Sequence, residues 1–203
     1  MLTGSFVSTV CYAVTIRAKL GLGPLYALQD GVARRLGIEI GQSVMLVGVA
    51  LFVGACALRW RPGPFTLALP FIGGATLDAL LPHVGAIHGV WLQLFAVTAA
   101  SWIMGFGGAL MIAAAIGCAP YDGVMLALHR ITGFANAPIR LAMELTALVV
   151  GWSLGGAVGV GTVITGILIG PALQFWLRVV GPVGAPAATP ASARAEVATS
   201  VSD

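Results

Sequence analysis

Gly21-Leu22-Gly23-Pro24-Leu25-Tyr26 and Gly117-Cys118-Ala119-Pro120-Tyr121-Asp122 are two versions of one phrase, 96 residues apart (117 − 21 = 96). The same shift, without a gap, carries Arg34 to Arg130, Gly37 to Gly133, Gly63 to Gly159, Thr66 to Thr162 and Gly74 to Gly170. It also carries Ala13 to Ala109, Ala18 to Ala114, Leu77 to Leu173 and Leu81 to Leu177. A single register through several elements reads as a tandem duplication. In each phrase glycine or alanine precedes proline, which fixes φ at a first helical position and wastes no N–H donor. Each phrase therefore predicts the start of a helix.

The helix that follows is short. Leu25, Leu28, Val32 and Leu36 recur at three- and four-residue spacing, with Gln29, Asp30, Arg34 and Arg35 on other faces. That is an amphipathic pattern. The second copy repeats it with Val124, Leu128 and Ile131. At ~1.5 Å per residue, the stretch from Pro24 to Leu36 reaches roughly 20 Å, short of the ~30 Å hydrocarbon layer. Each short helix is expected to lie on a membrane or dip into it as a re-entrant segment.

The rest of the chain demands that membrane. Apolar residues make up 59% of the 203 and charged residues 8%, and the mean hydropathy is +1.00. Too little polar surface exists to face water. Long apolar runs fall at 40–58, 64–81, 90–116, 139–157 and 160–180, each near the ~20 residues of a spanning helix. A sixth, at 2–20, ends in Arg17 and Lys19 but matches the start of the second copy, so it reads as a retained helix and not as a cleaved signal. Its counterpart starts about seven residues earlier relative to the repeat, so the native first helix is expected to begin upstream of Met1.

The expected fold is an all-α membrane protein: six transmembrane helices as two three-helix repeats, each with its short amphipathic or re-entrant helix. Residues 1–88 form the first repeat and 89–180 the second. Residues 181–203, rich in Ala, Pro, Ser and Thr, read as a disordered tail. Three spans per copy make the repeats inverted, an arrangement seen in secondary transporters; if the short segments crossed, the copies would be parallel. Arg59, Arg61, Arg130, Arg140, Arg178 and Arg194 fall on one side and Arg17, Lys19, Arg34 and Arg35 on the other, which places both termini in the cytoplasm.

Candidate binding residues follow from the inverted arrangement, whose sites lie between the halves. The two helix starts, Gly21, Gly23 and Pro24 with Gly117, Pro120 and Asp122, present unpaired N–H groups suited to an anionic group; plain turns into interfacial helices are the alternative. Asp122 also suits the helix terminus as a capping charge. Asp78 and its counterpart Gln174, with Arg140 and Glu144 four residues apart, are polar groups at membrane depth, which face a cavity or a partner. Arg140 and Glu144 also fit a structural ion pair.

Cys11, Cys56 and Cys118 read as isolated buried hydrophobes, and His83, His88 and His129 as surface residues without metal-site spacing. Gly151, Gly155, Gly159, Gly166 and Gly170 read as a packing stripe, and Pro70 and Pro171 as kinks or breaks in their helices. The five tryptophans read as interface anchors. No metal, cofactor, nucleic acid or catalytic constellation is indicated, so an enzyme is not expected.

Ile16-Arg17-Ala18-Lys19, Gly21-Leu22-Gly23-Pro24, the run from Gly117 to Gly123, Glu144 and Gly159-Val160-Gly161-Thr162 resemble the YczE-type integral membrane proteins of bacteria, a family related to the YitT-like group. The resemblance covers about Val14 to Leu177. It implies a multi-pass protein of the bacterial plasma (inner) membrane and no particular activity. Many members carry Asp two residues after the first helix-start proline; this chain has Tyr26 there and Asp122 only in the second copy.

The expected function is a permease for a small molecule or ion, its site between the repeats. The rival is a non-transporting accessory or assembly protein whose short helices dock a membrane partner. The lipid bilayer is the certain partner in either case, and a homo-oligomer or a membrane-protein partner fits both.

Overall fold

A computed structural model describes residues 2–60, 64–113 and 119–181. Among these, the protein is all α. Its helices are α1 (Leu2–Ala18), α2 (Pro24–Leu36), α3 (Ile40–Ala57), α4 (Pro64–Leu80), α5 (Val90–Ala113), α6 (Pro120–Thr132), α7 (Asn136–Ser153) and α8 (Val160–Val180), with a short 3₁₀ turn at Leu81–His83. The expected tail beyond Gly181, and Gly117 and Cys118, lie outside the described residues.

Helices α2 and α6 start at Pro24 and Pro120 and end at Gly37 and Gly133, whose φ values of 67° and 72° need no Cβ. The bounds of α2 and α6, and those of α3 and α7, differ by the same 96 residues. The run expected at 139–157 is found instead at Asn136–Ser153. Pro138 is tolerated in its first turn, and Gly155, at φ 89°, belongs to the turn that follows it. Neither Pro70 nor Pro171 divides its helix.

Three helices, α3, α5 and α8, are long and apolar enough to cross a membrane. The other candidates differ for visible reasons. Helices α1 and α4 have 17 residues each, and α7 carries Asn136, Arg140 and Glu144 in its first half. Large apolar side chains cover the outside, among them Trp91, Phe95, Ile167 and Trp152, a surface suited to lipid.

The halves interlock. Helix α1 packs on α5, α5 on α8, and α1 on α4, while α2 crosses to α7 and α6 to α3. Glycine permits the closest of these contacts: a Cβ on Gly31 would stand 2.6 Å from the Gly151 carbonyl oxygen. In a lipid setting such close approach holds helices together by dispersion. Gly166 and Gly170 take no part, since nothing lies within 4 Å of where their Cβ would be; they face outward from α8. Cys11 is buried as expected, whereas Cys56 is exposed near the end of α3. Trp60 is no free anchor either, because its ring fills the space beside Gly123 of α6.

Candidate functional site

A cavity of about 500 Å³ lies among α2, α3, α6 and α7. Three pairs of its lining residues stand 96 positions apart: Leu25 with Tyr121, Leu28 with Val124, and Leu51 with Ala147. The cavity therefore straddles the junction of the two halves, and its volume is that of an ordinary small-molecule site. Its wall is almost wholly apolar. Thr132 and Thr146 line it, but their hydroxyls donate to carbonyls one turn back, Leu128 O at 2.8 Å and Ala142 O at 2.7 Å.

Tyr121 is different. Its hydroxyl is buried and has no hydrogen-bond partner among the described residues, which costs about 1–3 kcal/mol. Burial pushes this hydroxyl well above its usual range; Glu144 and Asp122 add to the rise and Arg140 opposes it. Burial also raises the Asp122 carboxyl, again against Arg140. The Arg140 Nε donates to Glu144 Oε1 at 3.1 Å, one turn along α7. Asp122, Arg140 and Glu144 thus gather near Tyr121, although only Tyr121 lines the cavity.

The remaining expected residues lie elsewhere. Gly21 and Gly23 are buried and Pro24 half-buried, against the start of α8: Leu22 N–H donates to Ala157 O at 2.9 Å, and Gly161 N–H to Leu20 O at 2.7 Å. A Cβ on Gly23 would meet Thr165 at 3.1 Å. Protein covers this helix start, so it offers no open anion cradle. Pro120 is buried. Gln174 is exposed on α8, apart from Asp78.

Asp78 belongs to a second cavity, of about 650 Å³, at the ends of α1, α2 and α4 and the start of α3. Its Oδ1 accepts from the Gly41 N–H at 2.7 Å, capping α3 from another helix. Asp30 lines the same cavity, and its Oδ2 accepts from Arg34 Nε at 2.8 Å and from Ala157 N–H at 2.8 Å. The candidate residues therefore divide into two groups. Tyr121 and Arg17, important to each, were not singled out from sequence. The one available signal for Tyr121 was a hydroxyl-bearing ring in the first turn of α6, at the position where α2 has Leu25. Among the described residues, no three His, Cys, Asp or Glu side chains gather to hold a metal.

The chain is 31% identical over 177 residues, 81% of its length and 78% of the relative's, to a Bacillus subtilis (strain 168) protein named uncharacterized membrane protein YczE. An uncharacterized protein of Haemophilus influenzae is 28% identical over 165 residues, covering 79% of this chain and 74% of that one. Uncharacterized protein YyaS of Bacillus subtilis is 23% identical over 181 residues, covering 87% and 90%. No solved structure matches. A model of a family of unknown function, DUF6198, matches residues 1–178. With its apolar helices and this match along nearly the whole helical part, the chain is a membrane protein and belongs to the YczE-type family DUF6198.

Proposed function

We propose that this protein is a carrier in the bacterial plasma membrane, built from two inverted repeats of three spans with both termini in the cytoplasm. It takes a small molecule with an apolar body and one polar group. One observation carries the reading: a small-molecule-sized cavity at the junction of the halves is lined by Tyr121, whose buried hydroxyl has no hydrogen-bond partner among the described residues. An apolar body fills the wall left by Leu28, Leu51, Val124 and Met143, and its polar group relieves the hydroxyl. A bare ion suits this wall poorly, because apolar surroundings do not replace its hydration. Placement between inverted halves is the usual one for such carriers.

A thermal-shift screen of the purified protein against small alcohols, amines and carboxylic acids with aromatic or aliphatic bodies tests this. A ligand that binds only the folded state raises the melting midpoint by mass action. Met143→Trp, which fills the cavity, should abolish the shift. Tyr121→Phe should stabilise the ligand-free protein by about 1 kcal/mol, by removing an unpaired buried hydroxyl, and should weaken every hit that depends on its polar group. Hits should then cross the membrane of proteoliposomes. Absence of any binder, or hits indifferent to both substitutions, would leave the accessory or assembly role as the better account.

A further inference from the structure

The second cavity shares no lining residue with the first and has the opposite character. Arg17, Asp30, Arg34, Glu39 and Asp78 all line it. Asp30 and Arg34 satisfy one another at 2.8 Å. Arg17 and Asp78 do not: among the described residues no ion pair joins them. The Arg17 guanidinium donates through one Nη to the Leu81 carbonyl, while its Nε is buried and has no acceptor among the described residues. A charge-bearing N–H left so is costly. Asp78 spends one oxygen on the Gly41 N–H. Two opposite charges thus face one cavity without reaching each other.

A lone anion entering here meets Asp30, Glu39 and Asp78. A lone cation meets Arg17 and Arg34. A molecule carrying both signs a few ångströms apart offers each its complement. The walls are the ends of α1, α2 and α4 and the start of α3; on the six-span reading proposed above, on which this placement rests, the termini of α1, α3 and α4 lie where a spanning helix meets the headgroup layer. We infer that this cavity binds a zwitterion, its anionic oxygens on the Arg17 guanidinium and its ammonium on the Asp78 carboxylate. A free amino acid and the headgroup of phosphatidylethanolamine share this chemistry.

The experiment uses the full chain in phospholipid-free detergent. The melting midpoint is followed with glycine, with phosphoethanolamine, and with ethanolamine or phosphate alone; nanodiscs of phosphatidylglycerol, which carries no ammonium group, with and without phosphatidylethanolamine, form the lipid arm. At least one zwitterion should protect saturably, and ethanolamine and phosphate should not. Arg17→Gln and Asp78→Asn, each checked for helicity by circular dichroism, should weaken that protection tenfold or more. Protection by phosphoethanolamine and by the ethanolamine lipid without glycine identifies a headgroup; protection by glycine without the lipid identifies an amino acid. The inference is overturned if the folded wild-type protein responds to neither zwitterion nor to the lipid, or if ethanolamine or phosphate alone acts as well. It is equally overturned if both folded variants bind undiminished. The wild-type arms decide the matter should a variant not fold.

Discussion

The pairs α3–α4 and α7–α8 occupy matching places in the sequence and meet different fates. Helices α3 and α4 pack along their length, whereas α7 and α8 have no comparable interface. Side chains account for this. Gly48 leaves room into which Pro70 fits, and Gly41 and Gly74 lie against one another's backbones. Ninety-six residues on, Gly48 becomes Glu144, Pro70 becomes Gly166 and Gly41 becomes Ala137. The groove is filled and its ridge is gone. The cap differs likewise: Asp78 reaches the Gly41 N–H, while its counterpart Gln174 is exposed. One helix pair is therefore closed along its length while the pair at the matching positions is left apart.

Substitution at equivalent glycines should separate the two pairs most sharply. In Gly74→Leu the side chain meets the Gly41 carbonyl and Met45, and overpacking of this kind costs about 1–3 kcal/mol. Gly170→Leu adds a side chain where, its chain neighbours aside, nothing lies within 4 Å, and should cost clearly less than Gly74→Leu, its remaining effect being the backbone restraint before Pro171. Melting midpoints in detergent read the difference. Equal losses at the two positions would mean that α8 has a partner at Gly170 like that of α4 at Gly74.

The next effect concerns the tie between halves. Asp30, 8% exposed, holds the Ala157 N–H across 127 residues of chain, and its counterpart Leu126 can accept nothing. Asp30→Leu, which installs the residue found 96 positions on, leaves that N–H and Arg34 without their acceptor and should cost about 2 kcal/mol. Hydrogen exchange at Ala157 should quicken with it. A variant as stable as the parent, with unchanged exchange there, would show that the halves are held without this bond.

How much of this the sequence disclosed depends on range. The prolines placed the first residue of α2 and of α6, and the amphipathic spacing placed the end of α2 at Leu36, because both signals act over a few residues. The four-residue spacing of Arg140 and Glu144 likewise foretold their pair. Spacing gives no such help with Asp78, which caps a helix 37 residues away, nor with Asp30, which binds backbone in the other half. Membrane depth marked Asp78 as worth attention without saying which group it serves. The covered start of α2 escaped for the same reason: Gly21 and Gly23 read locally as a free terminus, and only the approach of α8 closes it.

The smallest expected effect falls on Asp122 and its counterpart Tyr26. Tyr26 stacks on Tyr12 with ring centroids 3.9 Å apart and carries no charge into the interior. Asp122 does carry one, in the first turn of α6, where the helix terminus favours the anion. Burial nevertheless raises its carboxyl above the ordinary value, and Arg140 opposes without cancelling. A folded-state pKa above the unfolded one means that the folded protein holds the proton more tightly. The stability this contributes is present in acid and is lost as pH rises through the carboxylate range. Asp122→Asn removes the titration, so its melting midpoint should gain on the parent's between about pH 4 and pH 7. Tyr26→Phe should show no such trend. A constant offset between Asp122→Asn and the parent over that range would place the Asp122 carboxyl in water, and the two short helices would then differ in sequence without differing in electrostatics.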